Sequence, residues 1–323
     1  MENKKLFLCR KIDPKGIEKL KKLNWLKISG NSEDRVLNKK ELIEKAKGSH
    51  AIVSLLTDNI DAEVMDKIGS QLKIVANYAV GFDNIDTVAA KERSIVVTNT
   101  PEAMTQAVAE HAIALMLICA RRILEGDKFV RANKYKGWEP ELLLGPEIVG
   151  KTLGIVGIGR IGGALAHIAY HGFGMKVIYH DLERNEEIER TLRAEYASLN
   201  VLLEKSDFVS LHVPLNKATR HLIGKSELKL MKKTAILINT ARGGIINEKE
   251  LIDALGNKEI FGAGIDVFES ESRPSKELFG LDNIVLTPHI ASATNEARVS
   301  MSECVAENII EVLMDRPAKN PVN

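Results

Sequence analysis

The stretch TLGIVGIGRIG, residues 152–162, runs from an apolar segment into three glycines, Gly157, Gly159 and Gly162, spaced G-x-G-x-x-G. Each glycine answers a different demand: a tight turn after a strand, a bare backbone where an anion approaches, and close packing of the following helix. Such a loop lays its amides against a pyrophosphate. The context agrees, because a helical stretch over residues 164–170 and a second strand, MKVIYH, follow, and Asp181 lies 19 residues beyond Gly162. An acidic residue at that distance holds the adenosine ribose hydroxyls of a dinucleotide, and its charge repels a 2′-phosphate. NAD is therefore expected over NADP, and NADH over NADPH, although Arg184 three residues further works against that preference.

The motif sits mid-chain, with 151 residues before it. Short β-branched runs alternate with helix-period stretches on both sides of it. LFLC, AIVSLL, LKIVANYAV and SIVVTN come first; TLGIVGI, KVIYH, DFVSLHV, TAILINT, FGAGIDV and NIVLTP follow. This alternation predicts parallel sheets covered by helices, in two α/β units in series. Between the units Pro101 opens a predicted helix over about 102–125, followed by an extended arm, RANKYKGWEPELLLGPEIVGK. Near the end, Met301, Val305, Ile309 and Leu313 repeat every four residues and predict one amphipathic helix, which needs a packing partner.

Composition narrows the function classes. The 45 basic and 44 acidic side chains form no long single-sign block, so neither nucleic acid nor an anionic membrane is an expected partner. Five apolar residues before Arg10 are too few for a signal peptide, and the longest apolar run, 112–120, is shorter than the roughly 20 residues a span requires. A cytoplasmic location is expected. Cys9, Cys119 and Cys304 are far apart within apolar patterns, as buried reduced thiols would be. His167 and His171 have the spacing of a metal pair but lack a third ligand, so no metal site is expected.

Reduction of a ketone by a nicotinamide leaves an alkoxide that needs a proton donor, and a 2-oxo acid also brings a carboxylate that needs a cation. His289 follows Pro288 at the end of an apolar strand, in LTPHIASAT; Arg242 follows TAILINT; GIDVFESE ends a third strand with Asp266, Glu269 and Glu271. Open α/β sheets build their sites at such strand ends.

Taken together, GKTLGIVGIGRIG, DFVSLHVPLNKATRHLIG, ILINTARGGIINEKELIDAL, GAGIDVFESE and LTPHIASAT resemble the D-isomer-specific 2-hydroxyacid dehydrogenases from end to end. NYAVGFDNID, NTPEAMTQAVAE, GWEPELLLG and the closing NPVN look most like the glyoxylate and hydroxypyruvate reductase branch. The resemblance implies an α/β protein of two doubly wound parallel-sheet domains, a Rossmann cofactor domain inserted into a flavodoxin-like substrate domain. The substrate domain would comprise residues 1–100 and 291–323, the cofactor domain residues 101–290, with hinges near Pro101 and Ala291 and the active site in the cleft. It implies a reductase of a small 2-oxo acid to the D-2-hydroxy acid. Arg242 would bind the substrate carboxylate and ketone, His289 would donate the proton and Glu271 would orient His289. The dinucleotide would meet Thr105, Gly157, Gly159, Arg160, Ile161, Gly162, Asp181, Val213, Pro214, Thr219, Thr240, Ala241 and Asp266. Leu56, Val80 and Gly81 would meet the substrate.

Trp138, in the arm, is either an aromatic anchor within its own chain or, as the resemblance implies, a wall of the substrate pocket of a second subunit; a homodimer is expected. Two departures stand out. Ser272 follows Glu271 where the family usually has proline, which puts the loop's rigidity in doubt, and Ala291 replaces a glycine, which tightens the hinge. The alternatives are another member, of D-lactate or 3-phosphoglycerate type, and a non-catalytic NAD-sensing regulator of the same fold. A formate dehydrogenase is disfavoured, since that branch resembles a glutamine where Glu271 stands.

Overall fold

The structure, a computed structural model, describes residues 3–323. The chain divides into two compact units, one of the residues up to Met104 with Ala293–Asn323, the other of Thr105–Ser292.

The first unit holds five strands, β1 (Lys4–Leu8), β2 (Leu26–Gly30), β3 (Ala51–Ser54), β4 (Ile74–Asn77) and β5 (Val96–Thr98). All pair in parallel, in the order β2-β1-β3-β4-β5. That is the flavodoxin-like order, which puts a switch point between β1 and β3. Alternation of side chains gives the sheet two apolar faces: Phe7, Cys9, Ile52, Val75 and Val97 belong to one core, with Leu42, Val64, Met65 and Ile68 from the helices Lys39–Ala46 and Ala62–Ile68. The final helix, Asn295–Leu313, starts at Thr294, whose side chain accepts from the Ala297 amide. Its stripe of Met301, Val305, Ile309 and Leu313 is buried, and it packs along the helix Pro14–Lys21 and against β3, β4 and β5. The closing NPVN runs beside β5, where the Val322 amide bonds to the Val97 carbonyl and the Val97 amide to the Asn323 side chain. An otherwise open sheet edge is thereby covered.

The second unit contains β6 (Thr152–Val156), β7 (Lys176–His180), β8 (Glu195–Tyr196), β9 (Phe208–Leu211), β10 (Ile236–Asn239), β11 (Gly262–Ile265) and β12 (Ile284–Leu286). The order is β12-β11-β10-β9-β6-β7-β8, again all parallel. This is a Rossmann sheet with one further strand, and its order reverses between β6 and β9. Val177 and Tyr179 of β7, with Ile236 and Ile238 of β10, face the core formed with the helices Thr105–Ala120 and Arg160–Phe173. Ile178 and Leu237, the residues between them, face the opposite core with Leu202, Leu251 and Leu255. Two apolar faces require helices on both sides, so the doubly wound α/β class expected from the alternation is the one observed.

Three details differ from the sequence reading. β2 and β8 had not been anticipated: LKISG buries only Leu26, and Glu195 and Tyr196 are both exposed, so neither shows an apolar run. The predicted helix over 102–125 is two helices, Thr105–Ala120 and Ile123–Arg131, because Arg122 takes the left-handed conformation with φ 52°. Its guanidinium then pairs with Glu125 at 2.6 Å. Among the described residues no helix is long and apolar enough to cross a membrane. Cys9 and Cys119 are buried, and burial pushes the Cys119 thiol up to about 12, so it stays protonated.

Candidate active site

The glycine loop leaves β6 at the point where the strand order reverses. Gly157 has φ 96°, and a Cβ there would meet the His212 carbonyl carbon at 2.8 Å, so a side chain is excluded by conformation and by space. A Cβ on Gly162 would lie 2.1 Å from the Gly157 carbonyl oxygen, which lets the helix Arg160–Phe173 start directly behind the turn. Gly159, by contrast, faces open space: nothing lies within 4 Å of its Cβ position. The exposed Gly159 and Arg160 with the half-buried Ile161 form the helix's amino end, where amides and dipole favour an anion.

Asp181, one residue beyond β7, accepts from the Ile158 amide through Oδ2 and from the Leu182 amide through Oδ1, both at 2.7 Å. It thus ties the strand end to the glycine loop. Arg184 is held by Glu189 through two hydrogen bonds of 3.1 and 2.6 Å and lies over the Tyr196 ring at 5.7 Å. Glu189 also accepts from the Tyr179 hydroxyl at 2.6 Å. This clamp on Arg184 was not legible in the sequence, since Glu189 reads as one charge among several on a surface helix.

Across the switch point, after β9, Val213 is half-buried and Pro214 exposed, and the Pro214 carbonyl accepts from the Thr219 hydroxyl at 2.6 Å. Burial of His212 lowers its pKa to about 4, so the imidazole beside this loop is neutral near pH 7, with Nε2 2.8 Å from the Ser210 hydroxyl. After β10, Asn239 accepts from the Ala241 amide at 3.0 Å and donates to the Arg242 carbonyl at 2.9 Å, which fixes the turn carrying Thr240, Ala241 and Arg242. The Thr105 and Thr240 hydroxyl oxygens are buried with no hydrogen-bond partner among the described residues. Buried hydroxyls without partners are costly and mark places where a polar ligand group is accommodated. Open space at Gly159 and these two hydroxyls together fit a dinucleotide.

Arg242, Glu271 and His289 follow β10, β11 and β12, three neighbouring strands. At ~4.8 Å per strand step their attachment points span about 10 Å. Glu271 Oε1 lies 3.2 Å from His289 Nδ1 and also accepts from the Phe268 amide at 3.3 Å. His289 is about a quarter exposed, so its ring is held on one side and open on the other.

The turn carrying His289 is strapped to Asp266, which is wholly buried. The Asp266 carboxylate accepts from the Thr287 hydroxyl at 2.6 Å and from the Ile290 and Ala291 amides at 2.9 and 2.8 Å. The Asp266 carbonyl accepts from the His289 amide at 2.8 Å, and His289 itself adopts φ 55°. Burial alone would raise the Asp266 pKa, but His111, Thr287 and the two amides outweigh it and hold the carboxyl below its ordinary value. Three of about four acceptor positions are thus committed to the turn, and His111 Nε2 lies 3.5 Å from Oδ1. His111, 3.1 Å from the Thr287 hydroxyl, was missed because it lies in a helix that otherwise reads as core.

The loop of Glu271 is tied at both ends by Glu248, which accepts from the Glu269 amide and the Ser275 amide, each at 3.2 Å. In the first unit, Leu56 follows β3, and Val80 and Gly81 follow β4, the adjacent strand; all three are partly exposed. Trp138 is 82% exposed, which opposes a role as an anchor within its own chain. Among the described residues no cluster of His, Cys, Asp and Glu is arranged to hold a metal ion.

Comparison with known proteins gives the chain its family. A family model described as D-isomer specific 2-hydroxyacid dehydrogenase, NAD binding domain, matches residues 113–291. The chain is 48% identical over 323 residues to a glyoxylate reductase of Thermococcus litoralis, covering 99% of this chain and 96% of that one. A crystal structure of a glyoxylate reductase from Paecilomyes thermophila superposes with a TM-score of 0.89 at 31% identity, covering 100% and 99% of the two chains. An NADPH-dependent glyoxylate/hydroxypyruvate reductase from Sinorhizobium meliloti, in complex with NADP and malonate, gives 0.87 at 30% identity, covering 99% and 97%. With a Rossmann sheet, a bare glycine turn and a histidine–carboxylate pair at its strand ends, the chain belongs to the D-isomer specific 2-hydroxyacid dehydrogenases, an oxidoreductase family, on its glyoxylate reductase side.

Proposed function

We propose that the chain reduces a small 2-oxo acid, glyoxylate or hydroxypyruvate, to the corresponding 2-hydroxy acid, D where the product is chiral, with NADH as reductant. The observation that carries this reading is the Glu271–His289 pair at 3.2 Å, with the far side of the imidazole open. When bound, the reduced nicotinamide supplies a hydride to the carbonyl carbon. His289 donates a proton to the carbonyl oxygen as the C–O double bond becomes single, so the oxygen stays on carbon as a neutral hydroxyl. Glu271 accepts from Nδ1, fixes the ring's orientation and stabilises the imidazolium before transfer. Arg242 binds the negative end of the substrate and polarises the ketone. Val80 and Gly81 take the carboxylate through main-chain amides, with Leu56 as an apolar contact.

The dinucleotide rests on Gly157, Gly159, Arg160, Ile161 and Gly162, with Asp181 toward the adenosine ribose. Val213, Pro214, Thr219, Thr240, Ala241, Thr105 and Asp266 line the rest of its path. NADH is favoured because the carboxylate of Asp181 opposes a 2′-phosphate and Arg184, three residues on, is engaged by Glu189. The exposed apolar side chains Ile123, Leu124, Val130, Trp138, Leu144 and Val149 fall in one segment, and a second copy of the chain would cover them.

The test is NADH oxidation by purified protein with glyoxylate, hydroxypyruvate, pyruvate and phosphohydroxypyruvate in turn, beside His289→Ala. Turnover of either of the first two, reduced about 10²- to 10⁴-fold in the variant while NADH binding holds, supports the proposal. No turnover of any of the four by a chain that binds NADH would refute it and favour the regulatory reading.

A further inference from the structure

The backbone after β4 is held in an unusual way. Three successive carbonyls, of Ala79, Val80 and Gly81, each accept a hydrogen bond from inside the first unit. The donors are the Thr100 amide at 2.9 Å, the Asn99 side chain at 2.8 Å and the Asn77 side chain at 2.8 Å. In a trans peptide the C=O and the following N–H point in opposite directions. Drawing these carbonyls inward therefore turns the N–H groups of Val80, Gly81 and Phe82 the other way, and among the described residues none of the three has an acceptor. Successive unengaged amides on one stretch of backbone form an anion-binding concavity.

We propose that Asn77 and Asn99 are positioning residues for the substrate's carboxylate, acting through these amides without touching the substrate. The inference rests on the reading of Val80 and Gly81 given above. Asn77 is wholly buried, and its amide is oriented at both ends: Oδ1 accepts from the Ser54 hydroxyl at 3.0 Å, which leaves Nδ2 to face the Gly81 carbonyl. Ser54 and Asn77 are register partners at the ends of β3 and β4 and both are wholly buried, so the clamp is built on paired strands. Asn84 extends it, donating to the Leu55 and Asp58 carbonyls at 3.0 and 2.9 Å with its Oδ1 3.4 Å from Asn77 Nδ2. The loop bearing Leu56 and the loop bearing Val80 and Gly81 are thereby held as one piece. An asparagine kept for folding alone would need partners, but not two asparagines and a strand-end amide converging on three consecutive carbonyls.

The experiment uses the full chain and the variants Asn77→Ser, Asn99→Ala and the pair together. Asn99 keeps 9% exposure, so its variant remains usable should Asn77→Ser fold poorly. KM and kcat for glyoxylate, the inhibition constant of oxamate as a carboxylate probe, NADH affinity by fluorescence and Tm are measured. Each single variant is expected to raise KM and the oxamate constant about five- to tenfold, with kcat changed less than about threefold and NADH affinity unchanged. Unchanged KM and oxamate constants, or a fall of kcat and Tm with KM fixed, overturns the inference while the proposed activity stands. If the unaltered chain reduces no 2-oxo acid, the activity falls and the inference with it.

Discussion

Gly243 offers a sharp test of how the site is assembled. It follows Arg242 directly, and a Cβ built on it would lie 1.9 Å from the Phe268 carbonyl carbon, 2.1 Å from its oxygen and 2.3 Å from the Glu269 nitrogen. All three are backbone atoms, so no side chain can swing aside. Ordinary carbon contacts begin near 3.5 Å, and Gly243→Ala must therefore open the gap between the Arg242 turn and the Phe268–Glu269 peptide by about 1.5 Å. Glu271 stands two residues beyond that peptide and lies 3.2 Å from His289. A shift of that size takes it out of hydrogen-bond range, and misplacement of a catalytic group by ~1 Å costs about 10²-fold in rate. The expected result is a fall in kcat of about 10²-fold with NADH affinity retained, accompanied by a lower Tm. Gly244→Ala is the control. Its Cβ would meet only the end of the Leu215 side chain, at 3.3 and 3.4 Å, and the Arg220 guanidinium at 3.5 Å, all of which can yield. Equal kcat in the two variants, or a Gly243→Ala enzyme within about threefold of the unaltered chain, would refute the claim that this backbone contact sets the Glu271–His289 geometry.

Release of Arg184 should move cofactor choice: Glu189→Gln removes its partner, and NADPH and 2′-phosphorylated adenosine nucleotides are expected to bind about tenfold more tightly by fluorescence titration, with NADH affinity little altered. Unchanged binding would dismiss Glu189 as a specificity determinant. Asp266 predicts an acid limb. Its folded pKa is held below the unfolded value of 3.8, so its contribution is present above that pH and is lost as pH falls from there through the folded value. Thermal melts of the unaltered chain between pH 6 and about pH 3 should therefore show a decline that Asp266→Asn flattens, from a starting stability lower by about 2 kcal/mol. Parallel curves would show that Asp266 titrates alike in both states.

Much of this architecture could be read from the chain because its strands are buried on both faces and so appear as unbroken apolar runs. What escaped lies where burial is partial: β2 and β8 sit at sheet edges, where LKISG and Glu195–Tyr196 show water more than core. The break at Arg122 escaped for another reason, since a left-handed residue leaves no trace in periodicity when it is not glycine. At the site, the strand-end rule singled out Arg242, Glu271 and His289 as three candidates on one edge. The residues that hold the backbone of the candidate site were silent. Asn77 and Asn99 look like ordinary turn formers after strands, and His111 and Glu248 like one polar residue each on a helix. Asn77 is oriented by Ser54, 23 residues back, and the partners of Asn99, Glu248 and His111 lie 19, 21 and 176 residues away, relations that no local pattern encodes.

The two departures from the family pattern find physical counterparts here. Proline after Glu271 would restrict the loop by fixing φ, an effect confined to one residue and its predecessor. Ser272 lacks that restriction, but Glu248, rooted on the helix Glu248–Gly256, accepts from the amides at Glu269 and Ser275 and so fixes the loop on both sides of Glu271. Restraint by two charge-assisted bonds at the ends leaves the residues between them free to adjust, whereas a proline stiffens the middle. Ala291 replaces conformational freedom with a methyl group that is buried, and its amide is one of the donors to Asp266. Both substitutions therefore act on the same quantity, the placement of Glu271 against His289. One shifts the loop's restraint to its ends, and the other holds the turn more firmly.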